Sequence, residues 1–145
     1  MRVVLDANVA VSLVLDPTRA AVIAEQWRGW QAAGASLHAP SLFRYEVASA
    51  LTRSIVAGEV TRPDAEVAWH RIVGMPIVLH ELREGPAAIE VARRLKRHSA
   101  YDASYIVLAQ QLAAEVWTLD GPLARNATGS GLPVRLIEIE PSRRA

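Results

Sequence analysis

The segment Arg2–Val11, RVVLDANVAV, carries the pattern on which the predicted fold depends. Its branched apolar residues at 3–5 indicate a short buried strand. The run ends on a carboxylate, Asp6, and Asn8 follows before apolar residues resume. The end of a strand inside a parallel sheet is poorly solvated, and an acid is costly there unless it has partners. Asp6 is therefore the first candidate for a functional residue.

The rest of the chain alternates helical and extended patterns joined by short connections. Strands are predicted at residues 2–5, 36–40, 77–82, 116–120 and 134–140, and helices at 8–16, 18–34, 41–58, 62–75, 85–98, 102–115 and 121–127. Prolines in first turns and glycines at helix ends set several of these limits. The alternation predicts an α/β fold with a mainly parallel sheet covered by helices.

Length and composition limit the possible classes of protein. The 145 residues are 51% hydrophobic and 21% charged, which is typical of one globular domain, here 1–140 with a short frayed tail at 141–145. The absence of cysteine excludes disulfides, thiolate catalysis and cysteine-based zinc sites. A net charge of +1 argues neither for nor against nucleic acid. Asp6 and Asn8 interrupt the candidate apolar stretch at the N-terminus, so we expect no secretory signal. The stretch 9–15 is broken by Ser12 and stops at Asp16, so we expect no membrane span and a cytoplasmic location.

Four acids are predicted at one edge of the sheet. Ligands of open parallel sheets bind beyond the carboxyl ends of the strands. Asp6 and Asp120 each end a predicted strand, and they lie side by side if those strands are neighbours. Asp102 opens the helix that leads into the Asp120 strand, and Glu46 lies in the second turn of the helix that follows strand 36–40.

A cluster of carboxylates needs something to offset its repulsion. At about 5 Å and an effective dielectric near 20, each pair costs about 3 kcal/mol. Protonation or a bound cation would relieve that cost. Hard divalent cations prefer oxygen ligands, and the chain offers neither cysteine nor clustered histidines, so the pattern favours Mg²⁺ or Mn²⁺. Such an ion can activate water and stabilise charge on a phosphoryl group.

Alternative interpretations remain open for each acid. Asp102 is a suitable helix N-cap, Asp120 could begin a turn, and Glu46 could reach solvent at the border of its helix. A Mg²⁺-dependent phosphatase of the haloacid-dehalogenase type also begins with an acid at a strand end. It would need a second acid two residues later, where this chain has Asn8. A receiver-like domain would need a lysine near its last strand, whereas the single lysine, Lys96, lies in a predicted helix.

Four segments, taken in order, resemble a known family. They are VVLDANVAVSLVL, YEVASAL, YDASYIVLA and VWTLDGPL. Together they resemble the PIN-domain ribonucleases, and more closely the VapC toxins of bacterial toxin–antitoxin pairs, over essentially the whole chain. The resemblance implies a three-layer α/β/α domain with a central, mainly parallel sheet of about five strands. It also implies a metal-dependent endoribonuclease that uses Mg²⁺, with Mn²⁺ able to substitute.

The resemblance also implies roles for individual residues. The catalytic and metal-binding acids of the family match Asp6, Glu46, Asp102 and Asp120. Thr118 and Asn8 match supporting positions, and Arg44 and Arg125 are candidates for RNA contacts. The basic cluster at 93–98 is interpreted as a solvated helix face. Expected partners are RNA, a VapB-like antitoxin and a second copy of the chain. The alternative is a catalytically silent PIN-like scaffold that binds RNA or antitoxin.

Overall fold

The computed structural model describes residues 1–139. In chain order these form β1 Arg2–Leu5, α1 Ala7–Leu15, α2 Pro17–Ala32, β2 Ser36–Pro40, α3 Leu42–Val56, α4 Arg62–Val73, β3 Ile77–His80, α5 Gly85–Arg94, α6 Tyr101–Gln111, β4 Glu115–Thr118, α7 Gly121–Gly129 and β5 Val134–Leu136. The predicted alternation of strands and helices is confirmed. The predicted tail at 141–145 and the end of the last predicted strand lie outside the described residues.

The five strands form one parallel sheet in the order β3-β2-β1-β4-β5. This order makes β1 the central strand and places β4 beside it, with Leu5 opposite Trp117. Val3, Val4 and Leu5 are all completely buried. Because successive side chains of a strand point to opposite faces, helices must cover both faces of the sheet. The predicted α/β fold is thus confirmed.

Helix α6 is the most deeply buried helix of the described chain. Its residues Ala103–Ala109 are all buried, and it packs against β1, β2 and β4. A helix that is apolar on every side is typical of the inside of a domain. Its first turn therefore lies at a fixed position beside the central strand.

Several predicted boundaries are wrong. The helix predicted at 102–115 ends at Gln111, and the strand predicted at 77–82 ends at His80. The strand predicted at 116–120 is Glu115–Thr118, so Asp120 lies two residues beyond its end. The strand predicted at 134–140 is only Val134–Leu136. The helix predicted at 85–98 ends at Arg94.

The early end of α5 has a local cause. Lys96 adopts a left-handed conformation with φ of 56°. The N–H groups of Lys96 and Arg97 then donate to the carbonyls of Arg93 and Ala92, each at 3.0 Å. This is a Schellman arrangement, which closes a helix and turns the chain away from it.

Within residues 1–139, no single helix is long and apolar enough to cross a membrane. Helices α1 and α2 together reach that length and apolarity, but they are bent by 120° relative to each other.

Candidate active site

Asp6 lies at the carboxyl end of the central strand, where the chain leaves β1 for α1. Its backbone N–H continues the sheet by donating to the Trp117 carbonyl at 3.0 Å. Its carboxylate Oδ2 accepts a hydrogen bond of 2.8 Å from the Thr118 hydroxyl. The pKa of Asp6 is raised to about 7, mainly by desolvation and further by the negative charges of Glu46 and Asp102. The Thr118 hydrogen bond offsets only part of this shift.

Thr118 joins the ends of the two central strands. Its buried hydroxyl donates to Asp6 and accepts from the Asn8 side-chain amide at 3.1 Å and from the Asp120 N–H at 3.0 Å. One donor and two acceptor positions are the full capacity of a hydroxyl group. Asn8 completes the connection, because its Oδ1 accepts from the Leu119 N–H at 3.1 Å. Asn8 therefore reaches Asp6 through Thr118.

Glu46 lies in the second turn of α3, which follows β2. Its Oε1 accepts a hydrogen bond of 2.6 Å from the hydroxyl of Tyr105, a buried residue of α6. Desolvation raises the pKa of Glu46, the Tyr105 hydrogen bond lowers it, and the charge of Asp102 raises it. Burial also raises the pKa of Tyr105 well above its ordinary value, so its hydroxyl stays a neutral donor.

Asp102 lies inside the first turn of α6. The helix begins at Tyr101 with Ala100 at the N-cap position, so the alternative that Asp102 caps the helix does not hold. Burial raises the pKa of Asp102, the positive charge of Arg97 lowers it, and the charge of Asp120 raises it. Asp102 is therefore within electrostatic reach of acids from three other elements.

Asp120 begins α7 in the manner of an N-cap. Its Oδ1 accepts a hydrogen bond of 3.0 Å from the Leu123 N–H. Its own N–H donates to Thr118, which in turn holds Asp6. Asp120 therefore has a structural role, as the alternative interpretation of this residue expected. It does not exclude a second role, because one carboxylate has two oxygens and about four acceptor positions.

The four acids act on one another, although they come from four separate parts of the chain. Within residues 1–139, no three histidine or acidic side chains are close enough to enclose a metal ion as they stand. Mg²⁺, however, usually keeps several waters and uses only one or two carboxylates, so it does not need such a cage. Burial, and in addition the charges of the neighbouring acids, raise the pKa of three members of this oxygen-only donor set, and such a set suits a hard divalent cation.

The arginines whose charges shift the pKa of the acids are not the two candidates from the sequence. The charges that act on Glu46 and Asp102 are those of Arg53 and Arg97. Arg125 instead extends back over Gly121, and Arg44 is exposed on α3. Arg53 could have been found, because it follows Glu46 by seven residues and so lies two turns along the same face of a helix.

The sequence also offered a weak signal for Tyr105. A tyrosine inside the apolar run YIVLA must find a partner for its hydroxyl when the helix is buried. The sequence could not name Glu46 as that partner, because the two residues are 59 positions apart. The sequence pattern was misleading for Arg97. It placed the basic cluster at 93–98 on the surface of a helix, whereas Arg97 lies beyond the end of α5.

Two of the four histidines form a separate pair on the other side of β1. His38 Nδ1 and His80 Nε2 are 2.9 Å apart, and the Ser36 hydroxyl lies 2.8 Å from His38 Nε2. Burial lowers the pKa of His38, and the neighbouring His80 lowers it further. The pair links β2 to β3.

Comparison with known proteins supplies a family and several relatives. The PIN-domain family model matches residues 3–128. Ribonuclease VapC12 of Mycobacterium tuberculosis is 28% identical over 124 residues, which cover 86% of this chain and 91% of the relative.

Solved structures with sequence identities below 20% share the fold. PAE2754 from Pyrobaculum aerophilum has a TM-score of 0.68 at 19% identity, covering 94% of this chain and 84% of the other. FitAB bound to the IR36 DNA fragment has a TM-score of 0.66 at 14% identity, covering 97% and 99%. VapBC2 from Rickettsia felis, bound to a promoter DNA fragment, has a TM-score of 0.65 at 11% identity, covering 94% and 98%.

Proposed function

The chain belongs to the PIN-domain family, and from that premise we propose that it is a divalent-metal-dependent endoribonuclease and the toxin of a toxin–antitoxin pair. Its relative VapC12 is named a ribonuclease, and the similarity spans most of both chains. The observation that carries the proposal is the position of Asp6. It is a desolvated acid at the carboxyl end of the central strand, and the negative charges of Glu46 and Asp102 raise its pKa further.

The residues proposed to hold the ion are Asp6, Glu46 and Asp102, with Asp120 completing or extending the site. When bound, a Mg²⁺ or Mn²⁺ ion would lower the pKa of a bound water and stabilise negative charge on a phosphoryl group. Thr118 would fix the orientation of Asp6, and the hydroxyl of Tyr105 would fix that of Glu46. Groups of this kind, which hold a ligand in place, commonly affect metal affinity 10- to 100-fold.

The proposed reaction is in-line hydrolysis of an RNA phosphodiester. A water oxygen forms a bond to phosphorus while the bond from phosphorus to the 3′ oxygen breaks, which leaves 3′-hydroxyl and 5′-phosphate ends. Arg53 and Arg97 flank the acids and would bring positive charge to the phosphate backbone. The acids would otherwise repel RNA.

We propose two protein partners as well, a VapB-like antitoxin and a second copy of the chain. The proposal of an antitoxin is supported by the similarity to VapC12 and by the shared fold with a chain of the VapBC2 structure. The proposal of a homodimer follows from the family resemblance alone, and sedimentation of the purified chain tests it.

The second candidate function is a scaffold that binds RNA or antitoxin without cleaving it. One observation favours it: each of Asp6, Glu46 and Asp120 already accepts a hydrogen bond from the protein. Carboxylates engaged in this way could be retained for their structural role. The two functions differ in whether acid-to-amide variants change cleavage.

The deciding experiment is cleavage of total cellular RNA with mapping of the fragment ends. Wild type is compared with Asp6→Asn and with the control Asp64→Asn, which changes an exposed acid on α4. Each is assayed with Mg²⁺, with Mn²⁺ and with chelator. We expect discrete metal-dependent fragments whose yield falls more than about 100-fold in Asp6→Asn only. Equal cleavage by Asp6→Asn, or cleavage in chelator, would contradict the metal-dependent mechanism. No cleavage by a folded wild type would favour the scaffold.

A further inference from the structure

We propose that the cleft beside Glu46 binds one unpaired nucleotide of the RNA. In this arrangement Tyr45 and Tyr101 stack on the base, and Arg53 binds an adjoining phosphate. The inference rests on the proposed ribonuclease function and adds a substrate-binding subsite to it. We call this cleft the tyrosine cleft; it is lined by Leu42, Tyr45, Glu46, Ser49, Arg53 and Tyr101.

The tyrosine cleft is continuous with the candidate active site. It lies between α3 and the start of α6, and Glu46 belongs to both. Each tyrosine directly precedes one of the acids, Tyr45 before Glu46 and Tyr101 before Asp102. RNA held at the acids is therefore within reach of both aromatic rings.

The two tyrosines are unusually exposed for aromatic residues. Tyr45 is 75% exposed and Tyr101 is 62% exposed, whereas the third tyrosine, Tyr105, is buried and donates to Glu46. Exposed aromatic rings do not stabilise the fold by burial, so the domain gains little from them. Their position at the edge of a polar site is instead typical of residues that bind a ligand.

An unpaired nucleobase suits this cleft better than other ligands. Its volume of about 340 Å³ is at the small end of the range for ligand sites, so it suits a single nucleotide and not a helix of a partner. Sequence-specific recognition of RNA mostly uses unstacked bases that lie on aromatic side chains. Stacking accepts any base, because each has a π face.

Arg53 supplies the positive charge that a nucleotide phosphate requires. It is exposed, and it lines the same cleft as the two tyrosines. The salt bridges within residues 1–139 involve the arginines at 19, 62, 93 and 135, and not Arg53. Its guanidinium is therefore available for bidentate contact with phosphate oxygens.

The polar lining argues for RNA over a protein partner. Glu46, Ser49 and Arg53 are half of the lining residues, so the tyrosine cleft has no continuous apolar floor. Surfaces that dock proteins are usually depleted of charged residues at their centre. A lining that includes the charged side chains of Glu46 and Arg53 therefore fits a nucleotide better than a protein.

The experiment measures binding of a short, unstructured, fluorescein-labelled RNA by anisotropy, with Ca²⁺ in place of Mg²⁺. The variants are Tyr45→Ala and Tyr101→Ala, with Tyr45→Phe and Tyr101→Phe keeping the ring. Ile89→Ala, which changes an exposed apolar residue on α5, is the control. Melting curves followed by circular dichroism verify that each variant is folded.

We expect each alanine variant to weaken RNA binding roughly 5- to 150-fold, the range measured for loss of one stacked base. The phenylalanine variants and Ile89→Ala should stay within about twofold of wild type. The same oligonucleotide with one abasic position is the second probe, and the abasic position is moved along the strand. At the position that occupies the cleft, wild type should lose at least this factor, and each alanine variant should lose less than wild type, because one of its two stacking rings is already absent.

Two results would overturn the inference and leave the proposed function intact. The first is a wild type that binds and cuts RNA while both alanine variants bind it equally well. The second is unchanged RNA binding together with an altered sedimentation coefficient in the alanine variants, which would make the tyrosine cleft a protein interface. A wild type that neither binds nor cuts RNA would instead refute the proposed function, and the subsite with it.

Discussion

At the scale of single residues, the site is held by two hydroxyl groups. Thr118 donates to Asp6, and Tyr105 donates to Glu46. Each hydroxyl stays neutral and donates to one carboxylate oxygen, so it fixes the direction of that oxygen. The acids thus have defined positions before any ligand arrives, which lowers the cost of binding.

The first residue-scale prediction concerns the pH dependence of stability in the metal-free protein. The pKa of Asp6 rises from 3.8 to about 7 on folding. Between these values the folded state holds a proton that the unfolded state has lost, so stability is lost as the pH rises toward 7. The full shift corresponds to at most about 4 kcal/mol, reduced by the solvent that reaches this partly exposed side chain.

Asp6→Asn removes this penalty. In chelator at pH 8 we expect the variant to melt several degrees above wild type, and near pH 4 the two should melt together. The measurement is thermal unfolding followed by circular dichroism across that pH range, with Asp64→Asn as the control. A difference that is constant with pH would show that ionisation of Asp6 does not destabilise the fold.

The second residue-scale prediction concerns Tyr105→Phe, which removes one hydroxyl and keeps the ring. Glu46 then loses the hydrogen bond that lowers its pKa, so the acid limb of the cleavage profile should move to higher pH. Affinity for Mn²⁺ should fall roughly 10-fold or more. Isothermal titration with Mn²⁺ and a pH profile of cleavage test both effects, with Tyr101→Phe as the ring-matched control. Unchanged Mn²⁺ affinity would mean that Tyr105 serves packing alone.

At the scale of secondary-structure elements, the connection from β4 to α7 performs two tasks. Thr118 ends the strand and holds Asp6, and two residues later Asp120 caps the helix. Both tasks need short polar side chains at fixed positions on a tight connection. The segment WTLDGPL can therefore be understood as one structural unit.

The cap and the charge of Asp120 can be separated by two substitutions. Asp120→Asn keeps an N-cap of similar quality, whereas Asp120→Ala loses the hydrogen bond to Leu123. We expect Asp120→Ala to lose about 1 kcal/mol of unfolding free energy and Asp120→Asn to lose little. Both should reduce cleavage if the negative charge takes part in the reaction. Urea unfolding measures the first effect and the RNA assay the second; full activity in Asp120→Asn would restrict Asp120 to its capping role.

Sequence patterns predicted the type of every element but not every boundary. Periodicity and proline positions were sufficient because they reflect local preferences. The end of α5 was missed because Lys96, and not a glycine, adopts the left-handed conformation there. That error concealed Arg97, which the turn directs toward Asp102. The wrong conformation predicted for Lys96 is thus the reason that Arg97 was not among the predicted site residues.

At the scale of the whole molecule, the strand order brings the acids together. Because β1 is central and β4 is its neighbour, Asp6 and Asp120 leave the sheet side by side although 114 positions separate them (120 − 6). The sequence predicted this edge through the general rule for parallel sheets. It could not predict the hydrogen bonds that engage the carboxylates, because Tyr105 and Thr118 reach their partners only in the folded chain.

The last prediction concerns the effect of a divalent cation on stability. The negative charges of the four acids come from different elements and act on one another, so a bound cation should stabilise the fold. An ion that binds the folded state and not the unfolded chain raises stability by an amount set by its concentration relative to its Kd. At about 100 times the Kd this is about 2.7 kcal/mol, or roughly 5 to 10 °C for a domain of this size. We expect such a rise in melting temperature when Mn²⁺ replaces chelator at pH 8. At pH 5 the rise should shrink, because Asp6 has a pKa of about 7 and keeps its proton.

Differential scanning fluorimetry with and without Mn²⁺ tests this prediction in wild type, Asp6→Asn and Asp64→Asn. The rise should disappear in Asp6→Asn and persist in Asp64→Asn, since Asp64 is an exposed acid on α4 and is not among the charges that shift the pKa of Asp6, Glu46 or Asp102. Because Asp6→Asn also relieves repulsion, its melting temperature in chelator should exceed that of wild type in chelator. An Mn²⁺ effect of equal size in all three proteins would place the ion elsewhere on the surface. The four acids would then have a structural role and would not form a metal site.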